Sequence, residues 1–159
     1  MSRSGPPAPA TALVDPTVRI AAVVAGFHRE ISERLLEGAG ARLREAGLPE
    51  GNLDVRWVPG AFELPLAAQE MARRGQYAAI VALGLVVRGE TAHFDYICNS
   101  ASLGLSRVGL DTGVPCAFGV LTTENHAQAE ARSGGTVGNA GADAADAAIA
   151  MINLLAESN

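Results

Sequence analysis

The sequence predicts an α/β fold: one parallel sheet with helices on both of its faces. Short apolar runs alternate with segments of helical periodicity four times along the chain. The runs are nearly continuous in Ala, Val, Leu and Ile, which suits strands buried on both faces. Glycines or a Pro-Gly pair close most of them, where the chain must turn. With 159 residues there is room for one well-buried domain and too little for two ordinary ones.

Residues 1–16, rich in Pro, Ser and Ala, are expected to form a flexible N-terminal arm, and residues 17–159 a single domain. Residues 19–25 read as the first strand, broken by Gly26. From residue 29 to 46, Ile31, Leu35, Ala39 and Leu43 recur every fourth position, marking one face of a helix that Gly47 stops. Residues 53–58 alternate apolar and charged positions, so a second strand with one less buried face is expected before Pro59-Gly60. A helix over 63–74 follows, with Pro65 in its first turn, where a missing N–H costs little. Residues 78–83 form the third strand, with Gly84 opening the loop after it. A long helix from about His93 to Gly113 carries Ile97, Ala101, Leu105 and Val108 on one face. Residues 116–121 are the fourth strand, and Thr123 is placed to cap a short helix ending near Ala131. Residues 133–139 read as a flexible link to an Ala-rich helix over 140–156.

Composition narrows the function classes. Seventeen acidic against 12 basic residues leave a net charge of −5, a poor match for nucleic acid or an anionic membrane surface. The longest apolar stretch, residues 78–87, is half of what a membrane-spanning helix needs, roughly 20 residues. The N-terminus has no continuous apolar core of a secretory signal, so a cytoplasmic location is expected. Cys98 and Cys116 are far apart and read as buried thiols of a reducing compartment, with a disulfide as the lesser alternative. No phosphate-binding Gly-x-x-x-x-Gly-Lys loop, Gly-x-Ser-x-Gly elbow or metal-spaced His/Cys cluster occurs. Gly38-Ala39-Gly40 lies mid-helix and is better explained by close helix packing than by a dinucleotide fingerprint.

In sheets of this kind ligands bind beyond the carboxyl ends of the strands. That rule selects residues 26–27, 59–63, 84–93 and 122–123. In the third of these segments Arg88-Gly89-Glu90-Thr91-Ala92-His93 leaves a strand and enters a helix. Helix-start N–H groups and the Thr91 hydroxyl suit a phosphate or carboxylate there. His93 is either a proton-transfer group beside that anion or a helix-capping residue packed on Phe94. Arg88 suits an anion or a structural salt bridge. Ala61, Phe62 and Glu63 present hydrogen-bonding groups for a polyol, although Glu63 equally complements the start of its helix. Phe27 suits stacking on a planar heterocycle or burial in the core. For Phe118 core packing is the default; for Arg132 it is solvation, with a phosphate clamp on a neighbouring subunit as the alternative.

Each of these signals is weak alone, but their order is specific. Phe27, then Val58-Pro59-Gly60-Ala61-Phe62-Glu63-Leu64-Pro65, then Val87-Arg88-Gly89-Glu90-Thr91-Ala92-His93-Phe94-Asp95-Tyr96, resembles the lumazine synthase family. So do Phe118-Gly119-Val120-Leu121-Thr122-Thr123-Glu124, Gln128-Ala129-Glu130-Ala131-Arg132 and Gly138-Asn139 with the closing helix, so that the resemblance spans about residues 19–155. It implies a flavodoxin-like three-layer sandwich built on a four-stranded parallel sheet. It also implies condensation of 5-amino-6-(D-ribitylamino)uracil with 3,4-dihydroxy-2-butanone 4-phosphate to 6,7-dimethyl-8-ribityllumazine, in riboflavin biosynthesis, with no cofactor and no metal.

By position, the resemblance implies that Phe27 stacks on the pyrimidine and that Ala61, Phe62 and Glu63 bind the ribityl chain. Leu85, Val86 and Val87 would meet the pyrimidine edge through main-chain groups, Glu90 and Thr91 would hold the phosphate, and His93 would transfer protons. Phe118 and Arg132 would come from an adjacent subunit, making an obligate homo-oligomer: a pentamer or a hollow icosahedral capsid of twelve pentamers. One position departs. The family usually has Lys after the Gly-Asn pair, and here it is Ala140. The alternatives are therefore a catalytically weakened paralogue that binds lumazine or flavin or builds a shell, or an unrelated phosphate-binding domain of the same fold.

Overall fold

In the computed structural model, which describes residues 12–157, four parallel strands form the central sheet in the order β2-β1-β3-β4. They are β1 (Ile20–Ala25), β2 (Leu53–Val58), β3 (Ala79–Val87) and β4 (Cys116–Thr123). The helices are α1 (Arg29–Glu45), α2 (Leu64–Arg73), α3 (His93–Thr112), α4 (His126–Ala131) and α5 (Ala140–Ala156). The expected fold class holds: this is an α/β sandwich of the flavodoxin-like kind.

The period-2 rule assigns the two faces. Ile20, Ala22 and Val24 of β1 pack with Ile31, Leu35, Ala39 and Leu43 of α1 and with Ala145, Ala148 and Ile149 of α5. Ala21, Val23 and Ala25 point the other way, onto Leu64, Ala68 and Met71 of α2 and Ala101, Leu105 and Val108 of α3. Every residue of β1 is buried, as a central strand covered on both faces should be. Gly47 adopts φ 103° just past α1, the left-handed conformation that ends the helix.

Four expectations are corrected. Gly84 does not open a loop: β3 runs through it to Val87, paired with β4 from Ile80↔Cys116 to Val87↔Thr123. A Cβ at Gly84 would lie 2.9 Å from that of Ala25, so this glycine admits the neighbouring strand rather than a turn. Thr123 is the last residue of β4, and the cap of α4 is Asn125, whose Oδ1 accepts the Gln128 N–H at 2.9 Å. Residues 133–139 are not a loose link. They form a small antiparallel ribbon of β5 (Ser133–Gly135) and β6 (Gly138–Asn139), fastened by the Val137 N–H donating to the Ala131 carbonyl at 2.8 Å. Of the arm expected over residues 1–16, residues 1–11 lie outside the described residues. Residues 12–16 begin packed instead of loose: Leu13 is buried in the α1/α5 core, its N–H on the Ala46 carbonyl. The Val14 N–H donates to Asn153 Oδ1, and Asn153 Nδ2 to the Ala12 carbonyl, which ties this segment to α5.

Cys98 and Cys116 are free thiols. Burial pushes the Cys116 thiol up to about 12 and raises that of Cys98 as well, so both stay protonated at neutral pH.

Candidate active site

A cleft of about 470 Å³ opens above the carboxyl ends of β1, β2 and β3. Its walls are Phe27 and His28 after β1, residues 60–63 after β2, Leu85, Val86 and Val87 of β3, and His93 and Ile97 of α3. Two main-chain bonds lash the first two loops together: the Gly26 N–H donates to the Val58 carbonyl at 2.8 Å and the Phe27 N–H to the Pro59 carbonyl at 3.0 Å. Gly60 seats the Phe27 ring, since a Cβ there would meet Phe27 Cδ2 at 2.8 Å.

Phe27 is 68% exposed and Phe62 59%, which rules out core packing for either ring. Large apolar groups held in solvent around a concavity mark a surface that binds something. Glu63 serves its helix, as its Oε2 accepts the Gly60 N–H at 3.0 Å. A carboxylate has about four acceptor sites, so this bond leaves Glu63 able to take a ligand hydroxyl too. β3 outlasts its neighbour on this side. Its pairing with β1 ends at Val24↔Leu83, whereas its pairing with β4 continues to Val87. The β1-facing edge of residues 85–87 therefore meets the cleft instead of another strand.

Arg88 is a tether. Its Nε donates to Glu124 Oε2 at 2.7 Å, Nη1 lies 3.4 Å from Asp95, and the guanidinium sits 4.4 Å above the Phe94 ring. The hydrogen bond to Glu124 raises its pKa further. This pair fixes the loop that leads into α3, where Thr91 Oγ1 accepts the His93 N–H at 3.3 Å. Phe94 is buried, while His93 is exposed and faces the cleft. Glu90 and Thr91 are exposed just ahead of His93 but are not part of the cleft wall.

Sequence reasoning missed two wall residues. Ile97 lies one helical turn after His93 on the same face, a spacing that could have found it. His28 follows Phe27 directly, but its left-handed backbone (φ 57°, ψ 50°) has no signature in the sequence. It is the one non-glycine residue with positive φ among the described residues, a conformation that costs about 1 kcal/mol and collects at functional sites.

The model of the 6,7-dimethyl-8-ribityllumazine synthase family matches residues 17–156. The chain belongs to that family. Membership ties it to riboflavin biosynthesis in general, and the matched region runs from just before β1 to the end of α5. Two positions singled out by the lumazine synthase resemblance stand apart from the cleft of their own chain. Phe118, 46% exposed on the edge strand β4, lines a second, apolar cleft of about 530 Å³ with Leu110, Met151 and Leu155. Arg132 is half-buried, its guanidinium donating to the Gln128 carbonyl at 3.0 Å. Ala140, where lumazine synthases usually carry Lys, is the first residue of α5, and its N–H donates to the Arg132 carbonyl at 2.9 Å. Among the described residues no group of three metal-ligating side chains is assembled. No helix among them is long and apolar enough to cross a membrane.

Proposed function

We propose that this chain condenses 5-amino-6-(D-ribitylamino)uracil with 3,4-dihydroxy-2-butanone 4-phosphate, releasing phosphate and water and yielding 6,7-dimethyl-8-ribityllumazine. One observation carries the reading: in a lumazine synthase family member, Phe27, Ala61, Phe62, Glu63, Leu85, Val86, Val87 and His93 surround a single cleft. The Phe27 ring stacks on the pyrimidine, the open main-chain edge of residues 85–87 pairs with its polar edge, and residues 61–63 take the ribityl hydroxyls. Main-chain groups at Glu90 and Thr91 hold the phosphate at the start of α3.

The amine and the ketone first join as an imine; phosphate then leaves and the ring closes. Each step moves a proton, which an imidazole can carry near neutral pH; that His93 lines the cleft supports this role for it. Fixing both reactants side by side supplies the rest of the acceleration without a cofactor. Phe118 and Arg132 of a neighbouring copy complete the site, the arginine on the phosphate, which makes the cytoplasmic enzyme a homo-oligomer: a pentamer or a shell of pentamers.

A second reading is favoured by Ala140: a weakened paralogue that binds ribityllumazine or flavin, or builds a shell, without efficient turnover. The deciding experiment follows lumazine absorbance with both substrates above the uncatalysed rate. A rate that disappears in His93→Ala combined with Arg132→Ala supports the enzyme. No rate in the native chain, restored by Ala140→Lys, supports the paralogue.

A further inference from the structure

We propose that His28 is a proton-linked binding residue of the cleft: ligand is accepted on its neutral imidazole, and the neighbouring His126 ring opposes its protonation. The proposal rests on the cleft being the substrate site.

The main chain at His28 is fixed. The Ile31 and Ser32 N–H groups donate to its carbonyl at 3.0 and 3.1 Å, and the preceding Phe27 is fastened to Pro59. Its exposed ring lines the cleft and lies beside His126, the first residue of α4, with ring centroids 6.3 Å apart. Partial burial, and then the nearby His126, hold the His28 pKa below the ordinary imidazole value.

The charges around the pair are already allotted. Glu130 Oε1 stands 3.6 Å from His126 Nε2, so α4 offers a carboxylate to a charged His126. Arg29, next to His28, is held by Glu33 at 2.9 Å and lies 4.2 Å above the Trp57 ring. Glu63 and His93 share the cleft, Glu63 bonded to the Gly60 N–H, while Arg88 is held by Glu124. Filling the cleft with an uncharged heterocycle strips water from the His28 ring, which penalises its charged form. By linkage, ligand and proton then exclude each other at this residue. Two charged rings would also repel across the turn that carries Phe27.

The test combines ring NMR titrations of both histidines with pH profiles of KM and kcat. In the native protein KM should rise as pH falls through the His28 transition. His126→Gln should move that limb of KM, and the His28 titration, to higher pH, with KM at about pH 8 unchanged. His28→Asn should flatten the limb. A KM limb and His28 titration that stay put in His126→Gln, or a limb that survives His28→Asn, would overturn the proposal. If there is binding but no turnover, only the enzymatic reading fails, and the pH profile of Kd for 6,7-dimethyl-8-ribityllumazine decides on the same terms. A cleft that binds none of that compound at any pH overturns both.

Discussion

At the scale of single residues, the proposed site assigns some groups to the ligand, while others hold the fold. Phe27 belongs to the first kind, and truncating it should weaken binding without dismantling the loop, which is fastened by its main chain. Phe27→Ala is expected to raise KM about fivefold or more, the equivalent of about 1 kcal/mol of stacking, with a smaller change in kcat. Steady-state kinetics would show a KM unmoved if the ring were idle. Asp54 lies at the other end of the sheet, away from the cleft, and serves the fold. Its carboxylate accepts the Tyr77 hydroxyl at 2.6 Å and two bonds from Arg19 Nη2 at 2.8 and 2.9 Å, tying together the starts of three strands. Tyr77 first, then Arg19, lowers its pKa below the ordinary carboxylate value. The stabilisation is therefore complete above that ordinary value and is lost as pH falls through the depressed one. Thermal unfolding of Asp54→Asn should show a lower Tm near neutrality and a smaller further drop in acid than the native chain. Which residues could carry chemistry was legible from residue type and from their place after strands. His28 was not, because its position depends on a strained backbone angle and on a partner 98 residues away.

At the scale of elements, apolar runs located the four strands of the central sheet but not the β5–β6 ribbon, and fourfold periodicity marked the long helices α1 and α3. Helix spacing and strand burial are local properties that a sequence records directly. Gly84 misled because two opposite demands select glycine: a sharp turn and the close approach of another chain segment. Only the packed structure separates them, through the 2.9 Å that a Cβ would leave to Ala25. Gly84→Ala should destabilise the fold by about 1–3 kcal/mol and crowd the strand end that forms the cleft floor. Urea unfolding would measure this, and an unchanged midpoint would show that the sheet absorbs the added methyl without cost. The pairing of α1 with α5 follows the same logic. Asn139 caps α5 through the Gly141 and Ala142 N–H groups, and its Nδ2 donates to the Arg34 carbonyl. A Cβ on Gly38 would strike that amide, so Gly38 serves the close packing expected of the pair, whereas one on Gly40 would meet only the Arg44 guanidinium at 3.3 Å and Leu53 at 3.8 Å.

At the scale of the whole molecule, the cleft holding His93 and the surfaces holding Phe118 and Arg132 are separate within one chain. Residue order alone says nothing of which copy a residue serves; it was the family resemblance that assigned Phe118 and Arg132 to an adjacent subunit. A shared site makes a sharp prediction. His93→Ala and Arg132→Ala proteins, each nearly inactive, should regain activity when mixed and reassembled from dissociated subunits, because some sites then combine both native residues. Recovery absent from assemblies shown by native mass spectrometry to be mixed would place both residues in one copy's site. The overhang of β3 past β1 has a consequence of another kind. A ligand docked on that edge is read by main-chain atoms, which exchanges among Leu, Val, Ile or Thr at residues 85–87 leave in place. Apolar exchanges there should be nearly silent for binding. A saturation library would therefore exclude proline and charged residues, the latter because Leu85 is buried and Val86 and Val87 pack against the core, with the remaining intolerance concentrated on a few exposed side chains around it.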